Sequence, residues 1–288
     1  MKYRFVKQAQ DRYPVAIMCE MLGISRSGYY AWKKRMPSQR ELDNQALIKH
    51  IRRIHQMSRK TYGSPRVHAE LWKRGWRCNH KRIARLMRQE GLVGQRKYRR
   101  VATTNSKHLY PVAPNLLNQE FKAEKPNQKW VADITYIPTA EGWLYLAAVM
   151  DLFSRKIVGW EMTDEMSADL VEQALRMALY QRQPELGLLH HSDRGSQYAS
   201  HPIRTILYTN RIQVSMSRKG NCYDNSVMES FFSTLKCEWV HFQKYESRAQ
   251  ARRDIFTYIE GFYNTVRLHS TLGFFSPNDF EAKSHPSP

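Results

Sequence analysis

Apolar positions change their spacing once along this chain, near residue 129. Before that point they recur every three to four residues, the helical interval. Val15 to Leu22 is one such run, followed by Gly23-Ile24-Ser25 and then Arg26 to Trp32. A helix, a turn at a glycine and a second helix make a helix-turn-helix pattern, with an ordinary helical hairpin as the equal alternative. The second helix would offer Arg26, Ser27 and Tyr29 to phosphates or base edges. Leu42, Ala46, Ile48, Ile51 and Ile54 predict an amphipathic helix. Tyr62-Gly63-Ser64-Pro65 interrupts it, and Pro65 suits the first turn of the next helix. Asn79 caps a further helix whose buried stripe is Ile83, Leu86 and Met87.

Between 101 and 128 periodicity is lost and Thr, Asn, Ser and Pro accumulate, as in a linker. From Lys129 the pattern becomes that of strands. Trp130–Ile137, Trp143–Asp151 and Lys156–Met162 predict three antiparallel strands with short links. Ser167–Tyr180 reads as a helix, Leu186–His191 as a strand, Pro202–Asn210 as a helix and Ile212–Met216 as a last strand. That order predicts an α/β fold with a mixed sheet and helices packed on it.

Charge divides at the same place. Residues 1–129 carry 30 Lys and Arg against 8 Asp and Glu, while 130–288 carry 16 against 18, so the net +20 belongs to the helical front. Nucleic acid is the expected partner of so one-sided an excess. On the helix after Asn79, Lys81, Arg82, Arg85 and Arg88 lie off the apolar stripe, suited to a DNA backbone. The longest apolar run, Trp143–Met150, is too short to span a bilayer, and Met1–Tyr13 lacks an apolar signal core. Cys19, Cys78, Cys222 and Cys237 form no CxxC pair, and His50 and His55 have no cysteine pair to complete a zinc site. A reducing cytoplasm, in association with the nucleoid, is the expected location.

Three acids stand out by setting. Asp133 lies in Trp130-Val-Ala-Asp-Ile-Thr-Tyr136, Asp193 in His190-His-Ser-Asp-Arg-Gly-Ser-Gln-Tyr198, and Glu229 in Asn225-Ser-Val-Met-Glu-Ser-Phe-Phe-Ser-Thr-Leu-Lys236. Each has a structural alternative: a strand-end acceptor, a turn before Gly195, and a capping box from Ser226. Together they suit a hard divalent cation and phosphodiester chemistry. The predicted parallel strands bring Asp133 and Asp193 to one sheet edge, where α/β sites form. Glu229, Ser233 and Lys236 share a helix flank, which turns Glu229 toward the site and Lys236 along DNA.

These strings, with Asp151 to Trp160, Tyr62-Gly-Ser-Pro-Arg66, Leu22 to Tyr30 and Tyr263-Asn-Thr-Val-Arg-Leu-His-Ser-Thr-Leu-Gly273, resemble the insertion sequence 3 family of transposases, specifically the downstream-frame product. The resemblance covers nearly the whole chain. It implies a ribonuclease-H-like fold with a mixed five-stranded sheet and flanking helices, preceded by helix-turn-helix-type DNA-binding regions. It transfers a metal-ligand role to Asp133, Asp193 and Glu229, with Mg²⁺ or Mn²⁺, two ions, as cofactor. The implied activity is hydrolytic nicking at the element's terminal inverted repeats, then attack of the freed 3′-OH on target DNA. The organisation expected is 1–40 helix-turn-helix-like, 41–100 basic helical DNA-binding, 101–128 linker, 129–245 integrase catalytic core, and 246–288 C-terminal helix and tail.

Secondary expectations attach to other residues. Lys236 is expected at a phosphate near the cleavage point, and His191 and Gln197 beside Asp193 in support or in plain packing. Arg267 and His269 are expected either to touch DNA or to pin the tail. The chain has no sustained heptads, whereas the family's upstream-frame product carries a leucine zipper. A homo-oligomer on DNA and that upstream product, as a frameshift fusion, are the expected protein partners. A regulator with an idle core and a nuclease outside transposition are the rival readings. The intact acids oppose the first, and the basic front and tail oppose the second.

Overall fold

The computed structural model describes residues 2–96 and 111–284, in two compact units, Met1–Arg53 and Ile54–Pro288. The basic run 97–100 and the first ten residues of the expected linker lie outside the described residues.

The first unit holds α1 (Lys2–Ala9), α2 (Val15–Met21) and α3 (Arg26–Lys34). Gly23, at φ +61°, makes the turn between α2 and α3, a conformation that costs glycine little. Ser25 then caps α3 by accepting the Gly28 amide at 3.0 Å. Val6, Met18, Cys19 and Tyr29 form its small core. Tyr29 is therefore not offered to DNA: its ring is buried and its hydroxyl donates to Gln10 at 3.0 Å. Arg26 is exposed at the start of α3.

The unit boundary falls inside α4 (Gln39–Met57). The buried stripe of α4 is Leu47, Ile51 and Ile54, and Leu42 is 46% exposed. Leu47 is five residues beyond Leu42, so the two point to different sides of the helix. In the second unit α5 (Ser64–Lys73) begins with Pro65 in its first turn, and α6 (His80–Gln89) is capped by Asn79, which accepts the Lys81 amide at 2.8 Å. Ile83, Leu86 and Met87 are buried as expected. Lys81, Arg85 and Arg88 are exposed, and Arg82 is half-buried.

The sheet comprises β1 (Lys129–Thr139), β2 (Gly142–Asp151), β3 (Ile157–Thr163), β4 (Leu189–Ser192) and β5 (Gln213–Met216), in the order β3-β2-β1-β4-β5. β1, β2 and β3 pair antiparallel, and β4 and β5 join parallel to β1. This is the mixed five-stranded sheet the resemblance implied. β4 begins three residues later than the apolar run suggested. Leu186 is 72% exposed, and Gly187 at φ +99° turns the chain into the strand.

Alternation along β1 divides the sheet's two faces. Trp130 and Ala132 join a core made with α7 (Ala168–Arg182) and α8 (His201–Thr209). Gly159 of β3 permits α7 to lie close, since a Cβ there would collide with the Ala174 carbonyl and Ala178. Val131, Asp133 and Thr135 therefore face the opposite side, where α9 (Ser226–Glu238) and α10 (Arg248–Tyr258) pack. The open edge of β3 is capped by one side chain. Asn264 accepts the Ile157 amide and donates to its carbonyl, both at 3.0 Å, as a partner strand would.

The tail closes this unit. Tyr62 accepts the Leu268 amide at 2.7 Å and donates to the Val266 carbonyl at 3.0 Å. Arg66 donates to the Leu268 carbonyl at 3.0 Å. The Tyr62–Arg66 string and the Tyr263–Gly273 string, some two hundred positions apart, are thus one latch. α11 (Pro277–Ser284) adds Glu281, which pairs with Arg182 at 2.9 Å; Arg182 also holds Asp151 at 3.1 Å.

Candidate active site

The parallel register pairs Trp130 with His190 and Val131 with His191. Continued by two residues, that register brings Asp133 and Asp193 to the same edge, just past the paired segment, where the charge of Asp193 acts on Asp133. Asp193 is held by a local turn, in which its Oδ1 accepts the Gly195 amide at 2.8 Å. A Cβ on Gly195 would stand 3.0 Å from that oxygen and 3.1 Å from Gln197 Oε1, so a larger residue would require the Asp193 carboxylate or the Gln197 amide to shift. Asp133 accepts the amide of Ile134 at 2.8 Å.

α9 brings the third acid. Its start is tied to the sheet by Asn225, whose Nδ2 donates to the Ala132 carbonyl at 3.1 Å, one residue before Asp133. Before it, a short 3₁₀ turn (Cys222–Asn225) is fixed by Asp224. That carboxylate accepts from Arg218 at 2.7 and 3.0 Å, from the Arg218 amide at 2.7 Å, and from Asn115 and Gln119 at 2.9 Å each. Asp224 immediately precedes the Asn225–Lys236 string and carries no signal in the sequence, because its partners lie up to 109 positions away. Glu229 is exposed in the first turn of α9, and its side chain makes no hydrogen bond among the described residues. The helix starts at Ser226 with no side-chain cap, so the capping-box alternative does not hold.

The electrostatics converge on Asp133. Burial pushes its carboxyl well above the ordinary range, and the charge of Asp193 pushes it further; Glu229 adds to this, while the Ile134 amide and Lys236 oppose it. Glu229 is itself raised, by burial. Lys236 is lowered by burial and held up by Asp133, with its ammonium 4.4 Å from the centre of the Tyr136 ring. The buried hydroxyl of Tyr198 has no hydrogen-bond partner among the described residues and feels the same pair of aspartates. Four residues from three separate segments thus act on one point.

Other expected residues fall elsewhere. Arg267 does not reach DNA: it is 4% exposed and makes a two-point pair with Glu238 at 2.7 and 2.8 Å. It pins the tail, the second of its two expected roles. His191 is fully buried, with Nδ1 on Ser215 Oγ at 2.8 Å and Nε2 on Ser217 Oγ at 3.1 Å, and burial holds its pKa down to about 4. Both nitrogens are occupied, so it braces β4 against β5 and touches no reacting group. Gln197 donates to the Met166 carbonyl at 3.2 Å, across from the Asp193 turn. Asp151 caps the β2–β3 corner, accepting the Asn127 and Phe153 amides.

A pair of carboxylates at the edge of a mixed sheet, with a third on the next helix and a helical front, defines an integrase-type core joined to a DNA-binding module. Family comparison finds that class in this chain. Residues 123–222 and 210–277 match families described as "Integrase core domain", and residues 41–100 match "HTH-like domain". The chain is 41% identical to "Transposase InsF for insertion sequence IS3A" of Escherichia coli (strain K12), over 99% of each chain. It is 47% identical, over 93% of its own length and 98% of the relative's, to "Insertion element IS600 uncharacterized 31 kDa protein" of Shigella sonnei. The chain belongs to the insertion sequence 3 family of transposases. Among solved structures, a chain of the simian T-cell lymphotropic virus intasome aligns over 82% of this protein and 76% of its own length, at 12% identity and a TM-score of 0.49. No helix among the described residues is long and apolar enough to cross a membrane.

Proposed function

We propose that Asp133, Asp193 and Glu229 are the reacting-centre carboxylates of a DNA strand-transfer reaction at the ends of the mobile element. The observation that carries this is the state of Asp133: a half-buried acid beside a second acid, with a third nearby and the Ile134 amide and Lys236 in opposition. Like charges so placed cannot all ionise without a cation between them. Their hard oxygens suit Mg²⁺ or Mn²⁺. As the side chains stand, no group of three or more acidic, histidine or cysteine residues is gathered tightly enough to hold an ion among the described residues. Asp133 and Asp193 form the fixed half of the donor set, and the unbonded arm of Glu229 is free to swing toward them. When bound, a divalent cation would polarise the phosphodiester and favour the deprotonated form of the attacking hydroxyl.

In the first step a water oxygen forms a bond to phosphorus, and the strand's 3′-oxygen leaves as a hydroxyl after taking up a proton. In the second, that 3′-OH forms a new bond to a target phosphorus as another 3′-oxygen departs. One P–O bond forms and one breaks each time, so no external energy source is required. Lys236, held over Tyr136, offers its charge to the phosphate that meets Asp133. The exposed cations of α6 and Arg26 of α3 hold the DNA backbone and set its salt dependence. The substrate is the element's terminal inverted repeats, in the bacterial cytoplasm. The working assembly is an oligomer on DNA that includes the upstream-frame product.

The test is a Mg²⁺-dependent nicking and joining assay on element-end DNA, with and without the upstream product. Asp133→Asn, Asp193→Asn and Glu229→Gln should each abolish joining while DNA retention persists. Joining at the unmodified rate by any of the three would refute the assignment.

A further inference from the structure

Alongside α9 lies a cavity of about 750 Å³. One wall is α9 itself, through Ser226, Ser230 and Thr234, which recur every four residues on one stripe. Ser230 directly follows Glu229 on α9 and both are exposed, so this wall runs one helical step from the third acid. The other walls are Gly94 from the segment after α6, Arg155 from the β2–β3 corner, and Tyr263 and His269 from the tail.

Four arginines, Arg66, Arg96, Arg155 and Arg267, and one acid, Glu238, line the cavity. Of its arginines, Arg66 and Arg267 are engaged by Glu238 at 3.5 and 2.7 Å. Arg155 is different. It is half-buried and donates only to the Phe121 carbonyl at 3.4 Å, and no carboxylate among the described residues lies within ion-pair distance of it. Burial lowers its pKa, and among the described residues no carboxylate offsets that, only the Tyr263 phenol. His269 registers the same field: burial and the charges of Arg267, Arg66 and Arg155 hold its pKa down to about 2. A desolvated guanidinium without an acid is costly unless an anion arrives.

We propose that this cavity takes up one nucleotide of a single DNA strand, with its phosphate on Arg155 and the hydroxyls of Ser230 and Thr234. The volume is that of a small-ligand site, within the usual ~300–1,000 Å³. It excludes a duplex and is several times larger than a free phosphate requires. Tyr263 and Phe231 close its floor, packed edge to face with centroids 4.8 Å apart and almost fully buried, so the grip on the strand is on its phosphate. The cavity therefore holds the strand adjoining the carboxylates. This placement rests on the reading given under Proposed function, whereas the binding itself does not.

The experiment measures fluorescence anisotropy of a labelled single-stranded oligothymidylate of about 12 nucleotides, and of a duplex of about 20 base pairs, over a range of salt. The proteins are the full chain, Arg155→Gln and Ser230→Trp, the last filling the mouth of the cavity without touching the guanidinium. Arg155→Gln should bind the single strand about tenfold more weakly, as for loss of one charge-assisted contact, with a log–log salt slope shallower by about 0.7. Ser230→Trp should lose single-strand affinity to a similar degree, and both should keep duplex affinity. If Arg155→Gln fails to fold by circular dichroism, Ser230→Trp decides alone. Unchanged single-strand affinity, or an equal fall for duplex and single strand, overturns the proposal. An active Asp133→Asn would refute the catalytic reading and leave this binding result standing, so the two failures are distinguishable.

Discussion

Asp224 and Asp133 are acids at two ends of one short structural unit, the turn before α9 and the strand it is tied to. Their surroundings are opposite. Asp224 is fully buried and fully answered: Arg218, Asn115, Gln119 and a backbone amide meet its oxygens, and Arg218 chiefly holds it far below the ordinary carboxylate range. Glu238, 5% exposed, is answered in the same way by Arg267 and Arg66. Asp133 is pushed up by burial and by Asp193, with one amide and a distant ammonium in opposition. A fold that satisfies buried acids so thoroughly at two places and leaves a third in deficit is holding that deficit for something. The answered acids position the chain, whereas the deficit at Asp133 is what the proposed cation would meet.

Substitution should separate the two kinds. The largest effect is expected at the unanswered acids. Asp133→Asn should bring strand transfer to background while raising stability. The folded chain holds a proton on Asp133 to higher pH than the unfolded chain does, so stability falls as pH climbs from the unfolded carboxylate range toward the raised folded pKa. The amide removes that loss, and a melt at neutral pH should move upward, by about 2–4 °C per kcal/mol relieved. A downward shift would place Asp133 among the answered acids.

Glu238→Gln should act in the opposite sense. It leaves Arg267 buried with no carboxylate, a change that costs about 3–5 kcal/mol, readable as a lower urea midpoint. Next in size is Asp224→Asn, at about 1.5–3 kcal/mol for charge-assisted bonds lost. Asp224 is depressed in the folded chain, so its contribution is present above the unfolded carboxylate pKa and is lost as pH falls through the folded value. The variant should therefore show a flatter acid limb in stability against pH. Smallest is Tyr62→Phe, which breaks the latch to Val266 and Leu268 and strands a buried amide, at about 1–3 kcal/mol. It should raise hydrogen exchange at the Leu268 amide, and unchanged exchange would remove the latch from the account.

The strands and helices of the core were legible because their patterns are local. Alternation in Trp130–Ile137 and helical spacing in Ser167–Tyr180 depend on a few neighbouring residues. Asp133 and Asp193 were legible as a pair because parallel pairing follows from the element order, and that order was readable. What failed depended on distant partners. Arg267 resembles a DNA contact in its string of eleven residues, and only Glu238, 29 positions earlier, makes it a buried strut. Tyr29 lies on an exposed-looking helix until Gln10 and the core of α1 and α2 close over it. His191 stands two residues from Asp193, yet its ring nitrogens are taken by Ser215 and Ser217, partners 24 and 26 positions away that its neighbours do not announce. Leu42 and Leu47 both fit a helical stripe, and the choice between them rests on which side finds cover.

Direct measurement of Mn²⁺ binding, by electron paramagnetic resonance on the full chain without DNA, bears most closely on the unanswered acids. Unmodified protein should bind the ion, and Asp133→Asn, Asp193→Asn and Glu229→Gln should each weaken binding by tenfold or more, about 1.4 kcal/mol, while Asp224→Asn should leave the affinity close to that of unmodified protein. Binding at undiminished affinity by the double variant Asp133→Asn/Asp193→Asn would contradict the account.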